Sequence, residues 1–232
     1  MRLRRNRKMI SKHIFDQNNW SQDRYYSNIL FNSQGIHQPT GHYKTNPATE
    51  QFEEIKPYLA TWRKRNALDI GARWGSFTVQ LHKFGFEHVY MAEMRDIHFA
   101  GISYNVDMSR ATLYPHPIMD QSGFISRSGK WISDREKGNI PCYSIDDMNI
   151  NNVDFIKIDV DGPDRFVLAG AKNTIEKWKP VIYIEYGSEQ IIWEKKLNNY
   201  DLKRKDLIPD GYDFIECEVE SNNMILVPNG SR

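Results

Sequence analysis

The chain has almost no net charge. Its 31 Lys and Arg against 30 Asp and Glu leave +1 over 232 residues. No global field therefore draws it onto nucleic acid. Cysteine is scarce: Cys142 and Cys217 lie far apart and form no C-x-x-C. That excludes a disulfide framework or a thiolate zinc module and fits a reduced, intracellular protein. No apolar run approaches the roughly 20 residues needed to span a bilayer. The basic start carries Arg2, Arg4, Arg5, Arg7 and Lys8 but no apolar stretch of the secretory kind follows. A cytoplasmic location is expected. The G-x-G-x-x-G pattern of a dinucleotide site is missing too. Internal repeats and a domain linker are also lacking. With 40% apolar residues there is enough material for one core.

What is present centres on Ala67-Leu68-Asp69-Ile70-Gly71-Ala72-Arg73-Trp74-Gly75-Ser76-Phe77-Thr78. The run reads as a buried strand, a turn on two glycines, and a helix with Phe77, Leu81 and Phe84 at helical spacing. Such a unit lays backbone N–H groups and a helix N-terminus beside a ligand. Gly71 and Gly75 allow a close main-chain approach. Asp69, at the strand tip, can accept from a cationic group. This combination suits a nucleoside bearing an amino acid better than a pyrophosphate. The second strand, His88 to Glu93, ends in an acid about twenty residues beyond the glycines. In doubly wound folds an acid there takes both ribose hydroxyls of a nucleotide. A carboxylate can accept from both members of a vicinal diol.

The rest is organised around this unit. Residues 18–43 are polar and aromatic, with Trp20, Tyr25, Tyr26, Phe31, His37 and His42; short helices and loops are expected, either a lid over a pocket or a packing extension. Residues 1–60 form an N-terminal extension and 61–232 the main domain. Thr49 to Arg65 reads as a helix, kinked or split at Pro57. Asp96 to Met108 reads as another. Ala111 to Met119 reads as an irregular third strand ending at Asp120, where a nucleoside base would lie. A loop or hairpin follows over 123–138, then a short strand over 140–145.

The second informative stretch is Val153-Asp154-Phe155-Ile156-Lys157-Ile158-Asp159-Val160-Asp161-Gly162-Pro163-Asp164. Phe155 to Asp159 reads as a central strand. Lys157, Asp159 and Asp161 alternate at period two and would share a face if the strand continued. One helix is expected from Phe166 to Trp178, ended by Pro180. Val181 to Glu185 reads as a buried parallel strand ending in another acid. Two adjacent strands thus present Asp159 and Glu185 at their carboxyl ends, where open α/β sheets bind ligands. A helix over 189–197, a charged connector over 198–205 and a hairpin from Tyr212 to Val227 complete the chain.

Taken together, ALDIGARWGSFT, HVYMAEM, VDFIKIDVDGPDRFVLAGA and KPVIYIEY, in that order, resemble the FkbM-type S-adenosylmethionine-dependent methyltransferases. The resemblance covers roughly Ala67 to Val227. It implies an α/β, Rossmann-like class I methyltransferase fold: a mostly parallel seven-stranded sheet, helices on both faces and an antiparallel C-terminal hairpin. It also implies methyl transfer from S-adenosylmethionine to a hydroxyl oxygen. Asp69, Gly71, Ala72 and Gly75 would then hold the methionine part of the donor, Glu93 the ribose, and Asp120 the adenine. Asp159 would face the methyl group. The family usually has glutamate where Asp161 stands and commonly another where Asp164 stands.

Methyl transfer needs the two partners positioned and water excluded. A neutral alcohol gains from a base or a metal ion. Asp159, Asp161 and Glu185 are candidates for either role, with a divalent metal as an optional cofactor. Lys157 either aids deprotonation or neutralises Asp159. Absence of an Asn-Pro-Pro-Tyr run argues against an exocyclic base amine as acceptor. The expected partner is a small-molecule or glycan acceptor, most simply a carbohydrate. Alternatives are an RNA or protein methyltransferase using the basic arm, and a non-catalytic donor-binding scaffold; a dehydrogenase lacks its phosphate-binding glycines.

Overall fold

The structure, a computed structural model, describes residues 29–31, 37–39, 47–128, 131–134, 138–185, 208–218 and 222–230. The basic arm, most of the aromatic segment over 18–43, the helix expected over 189–197 and the connector over 198–205 lie outside the described residues. In the aromatic segment, β1 (Ile29–Phe31) and β2 (His37–Pro39) pair antiparallel, so its described residues are strand and not helix or loop.

The central sheet has seven strands. In chain order they are β3 (Asn66–Ile70), β4 (His88–Ala92), β5 (Ala111–Tyr114), β9 (Val153–Ile158), β10 (Val181–Glu185), β11 (Tyr212–Glu216) and β12 (Asn223–Pro228). Across the sheet they run β11-β12-β10-β9-β3-β4-β5. Only β12 is reversed; it pairs antiparallel with both β10 and β11, while the other pairs are parallel. The hairpin therefore docks through its second strand, leaving β11 at the edge. The order reverses between β3 and β9, and that switch point opens the crevice at their carboxyl ends.

Alternation along the strands feeds two cores. Phe155 and Tyr183 face α1 (Pro47–Leu59) and α2 (Ser76–Phe84), where Phe52, Ile55, Leu59, Phe77 and Leu81 are buried. Ile156, Ile158, Ile182 and Ile184 face α4 (Asp164–Ala169) and α5 (Lys172–Trp178) with Val167, Leu168 and Ile175. Burial of both faces explains the near-continuous apolar run of β10. A third helix, α3 (Asp96–Asn105), joins β4 to β5. Between β5 and β9 a small antiparallel sheet of β6 (Gly123–Ser128), β7 (Trp131–Asp134) and β8 (Ile140–Cys142) extends the expected hairpin. Its Ile125 and Cys142 pack with Met119 and Phe166, so this flap is tied to α4. No described helix is long and apolar enough to cross a membrane.

Several local expectations are corrected. α1 is one helix rather than two pieces and ends at Leu59, short of the expected Arg65; Pro57 is exposed and lies in its last turn, where it removes one ladder donor just before the helix ends. β5 stops at Tyr114 instead of Met119, because Pro115 cannot donate to a ladder. The single helix expected over 166–178 is split at Gly170. A Cβ there would lie 2.3 Å from the Met119 carbonyl oxygen, so only glycine lets the chain before the flap run this close to the break.

At the amino ends of the strands a charged clasp joins β3 to β9. Asp154 is fully buried. Its carboxylate accepts from Arg65 Nε at 2.9 Å, Nη2 at 2.7 Å and the Arg65 backbone N–H at 2.9 Å. Arg63 Nε lies 3.5 Å away, and Arg65 Nη1 also donates to Asn152 at 2.8 Å. Asp154 is the buried member while Arg65 is 30% exposed, so the loss is that of three hydrogen bonds to a charged group. Asp154→Ala is expected to lower unfolding stability by about 3 kcal/mol. Urea titration of the variant checks this; a loss below about 1 kcal/mol would show that the clasp is dispensable.

Candidate active site

The turn after β3 is shaped by the protein's own backbone. Gly71 has φ 84° and Gly75 φ 79°. A Cβ at Gly71 would stand 1.8 Å from the Asp159 carbonyl oxygen, and one at Gly75 would stand 2.4 Å from Val106 Cγ2. Both glycines are thus demanded by internal packing, in addition to the ligand approach expected for them. The Gly71 and Ala72 N–H groups donate to the Ala92 carbonyl at 2.9 and 3.1 Å, which ties the turn to the tip of β4. α2 then starts at Ser76 with no side-chain cap from Gly75 and no acid in its first turn. Its leading N–H groups have no helical partner, which is the setting an anionic ligand group fits.

Asp69 is fully buried. Oδ2 accepts from Thr78 Oγ1 at 2.7 Å, and Oδ1 lies 3.4 Å from Lys157 Nζ. The cation that meets Asp69 is therefore the chain's own lysine. Lys157 Nζ also lies 3.2 Å from Asp159 Oδ2, donates to the Gly71 carbonyl at 3.2 Å, and sits 5.7 Å above the Phe77 ring. Burial alone would lower the Lys157 pKa, but Asp159 and Asp69 overcome it and raise it above the ordinary lysine value. A lysine held protonated in this way is no proton acceptor.

The acids beyond β9 are brought together by a turn, not by strand alternation. The Asp159 N–H donates to the Ile70 carbonyl at 3.0 Å, the last rung of the ladder. Asp161 then adopts a left-handed φ of 57°. Asp164, fully buried, closes the turn: its two oxygens accept from the Val160 and Gly162 N–H groups, each at 2.9 Å. Carboxylate oxygens of Asp159, Asp161 and Glu185 lie within 4.8 Å of one another. Three hard oxygen donors at that spacing fit a divalent cation such as Mg²⁺ or Ca²⁺.

Glu93, just beyond β4, is 7% exposed. Oε2 accepts from the Arg73 N–H at 2.9 Å and Oε1 from the Arg95 N–H at 2.7 Å. His98 Nδ1 stands 3.2 Å from Oε2. Burial pushes the Glu93 pKa up, but His98 and the two backbone donors outweigh it and hold the carboxyl below the ordinary value. Asp120 lies six residues past the end of β5, its Cα 2.9 Å from where a Gly170 Cβ would be. It borders the α4–α5 break instead of a strand tip. Sequence reasoning missed His98 and Trp74. Both reach this site through α3 packing, which leaves no local pattern.

The sheet order, counted from β5 in chain order of its own strands, is 3-2-1-4-5-7-6. With the glycine turn and strand-tip acids, this is the class I methyltransferase fold. A family model, the methyltransferase FkbM domain, matches residues 69–216. The chain belongs to the FkbM methyltransferase family. A solved methyltransferase FkbM from Methylobacillus flagellatus KT shares the fold with a TM-score of 0.52 at 18% identity. The match covers 97% of this chain but 58% of that one, so this chain spans little more than half the length of that structure. A putative methyltransferase, yhhF, from Escherichia coli aligns with a TM-score of 0.47 at 12% identity, covering 85% of this chain and 94% of that one. No protein of curated function matches the sequence.

Asp164 yields a pH prediction. Burial raises its pKa from 3.8 to about 7; the Val160 N–H pulls it back, the Asp159 charge pushes it further up, and the Gly162 N–H again lowers it. Because the folded value is raised, the unfolded chain releases its proton first as pH rises. The contribution to stability is complete below the unfolded value and is lost as pH climbs through about 7. The stability of wild type relative to Asp164→Asn should therefore fall between about pH 4 and pH 7 and then level off. Denaturant titrations across that range check it, and a difference that is constant with pH would contradict it.

Proposed function

We propose that this chain transfers a methyl group from S-adenosylmethionine to a hydroxyl oxygen, most simply on a carbohydrate or another small alcohol. The observation that carries the reading is the meeting, at one switch point, of the glycine turn and Glu93 with the Asp159, Asp161 and Glu185 cluster. When bound, S-adenosylmethionine would supply an activated methyl group on a positive sulfur, leaving the chain to position the acceptor hydroxyl and receive its proton.

The uncapped start of α2, with Gly71, Ala72 and Gly75 before it, suits the donor's amino-acid carboxylate. Asp69 acts through Lys157, keeping the turn and the β9 tip in register. Glu93 suits the ribose diol, and Asp120 is assigned to the adenine side. Asp159, with its side chain 36% exposed, is the acid best placed to orient the acceptor hydroxyl and take its proton. Asp161 and Glu185 complete a set that would hold a divalent ion able to acidify the hydroxyl. The segment over residues 18–43 is assigned to the border of the acceptor site, and a cytoplasmic setting is part of the same reading. The neutral overall charge supports a small or glycan acceptor over a polyanion.

Two variants test the two halves. Glu93→Ala is expected to weaken S-adenosylhomocysteine binding by roughly 2–3 kcal/mol, the sum of two hydrogen bonds to a charged group. Asp159→Asn keeps the shape and removes the charge; turnover should fall by about a hundredfold with donor affinity little changed. Calorimetry and a labelled-methyl assay against glycans, nucleosides and small alcohols read both. Equal affinity in Glu93→Ala, or normal turnover in Asp159→Asn, would overturn the corresponding role.

A further inference from the structure

Glu93 is held by more than its strand. The residues around it belong to three elements: the glycine turn, the tip of β4 and the first turns of α3. His98, on α3, is 3% exposed, and its Nδ1 lies 3.2 Å from Glu93 Oε2. Its ring is also packed against Trp74 of the glycine turn, with centroids 4.5 Å apart and planes tilted by 58°. Trp74 is 2% exposed and is itself clamped to α3. A Cβ at Gly101 would fall 2.3 Å from Trp74 Cε3, so only glycine lets the helix come this close. Asn105 Nδ2 donates to the Trp74 carbonyl at 2.9 Å.

The two backbone donors, Arg73 N–H and Arg95 N–H, take one oxygen of Glu93 each. A carboxylate offers about four acceptor sites. His98 Nδ1 stands beside Oε2 at 3.2 Å without hydrogen-bond geometry, so each oxygen keeps one site for a ligand hydroxyl. The imidazole thus flanks the Arg73 side of the carboxylate, and the Trp74 ring packs against the imidazole.

We propose that His98 is a positioning residue that locks the Glu93 carboxylate to the glycine turn through Trp74, so that the two halves of the donor site are set as one unit. This rests on the donor-binding reading above. The class of ligand it serves is a nucleoside with a free vicinal diol. A residue that only filled space would matter for stability alone. A positioning residue should instead alter donor affinity in a folded protein, and a side chain that restores the donor atom should restore the affinity.

The test uses the full chain and S-adenosylhomocysteine as the probe. His98→Phe keeps a ring on Trp74 and removes the nitrogen. His98→Asn places an amide nitrogen close to the position of Nδ1. Calorimetry is expected to show about tenfold weaker binding for His98→Phe, in line with one lost polar contact to a charged group, and affinity within about threefold of wild type for His98→Asn. Affinity equal to wild type in His98→Phe overturns the proposal while leaving donor binding intact. Equal weakening in both variants overturns it as well, because shape and not the donor atom would then matter. Should His98→Phe fail to fold, the imidazole resonance of His98 in wild type, assigned by its loss in His98→Asn, decides. It should shift when S-adenosylhomocysteine saturates the protein; an unmoved resonance overturns the proposal. A wild type that does not bind the probe at all refutes the donor-binding reading and this inference with it.

Discussion

One buried cation holds the centre of this structure together. Lys157 stands between Asp69 on β3 and Asp159 beyond β9, 3.4 Å from one carboxylate and 3.2 Å from the other. These two strands flank the point where the sheet order reverses, and their tips carry the glycine turn and the acid turn. A lysine buried without partners would lose its charge or unfold the protein. Here two carboxylates and the Gly71 carbonyl satisfy it, so the charge is kept and both tips are bound to it. The tight fit of Gly71 against the Asp159 carbonyl follows from the same junction.

That junction divides the labour among the acids. Asp69 is consumed by the interior; with Thr78 and Lys157 it has no role at the surface. Asp159 gives one oxygen to Lys157 and remains partly exposed, so it joins the core to the open acid cluster. Asp164 spends both oxygens on closing the turn that presents Asp161. Glu93 is the counterpart on the β4 side, buried and held by backbone donors. A site of this kind owes its shape to rigid strand tips and short turns, which suits a reaction that depends on positioning.

The parts of this arrangement that could be read in the sequence are those with local causes. An apolar run broken by Gly71 and Gly75 announces a strand, a turn and a helix. Acids closing the apolar runs of β4 and β10 mark strand tips. Two short strands around 212–227 announce a hairpin. The parts that could not be read have causes elsewhere in the chain. The helix break at Gly170 lies against Met119, a neighbour far away in the chain. β5 ends early because Pro115 follows, and Asp120 is thereby carried away from the strand tip. Asp161 joins Asp159 through a left-handed turn, where the period-two pattern pointed to a continued strand. His98 gains its meaning only when α3 folds back on Trp74.

Lys157 links a donor side and an acid side that face one another across β3 and β9. The measurement that tests this most directly is a crystal structure of the complex with S-adenosylhomocysteine. The predicted result has the ribose hydroxyls within hydrogen-bond distance of Glu93, the carboxylate at the start of α2, and the sulfur facing Asp159 across the switch point, with Lys157 still between its two acids. A ligand bound at the amino ends of the strands, or a ribose seated away from Glu93, would contradict it.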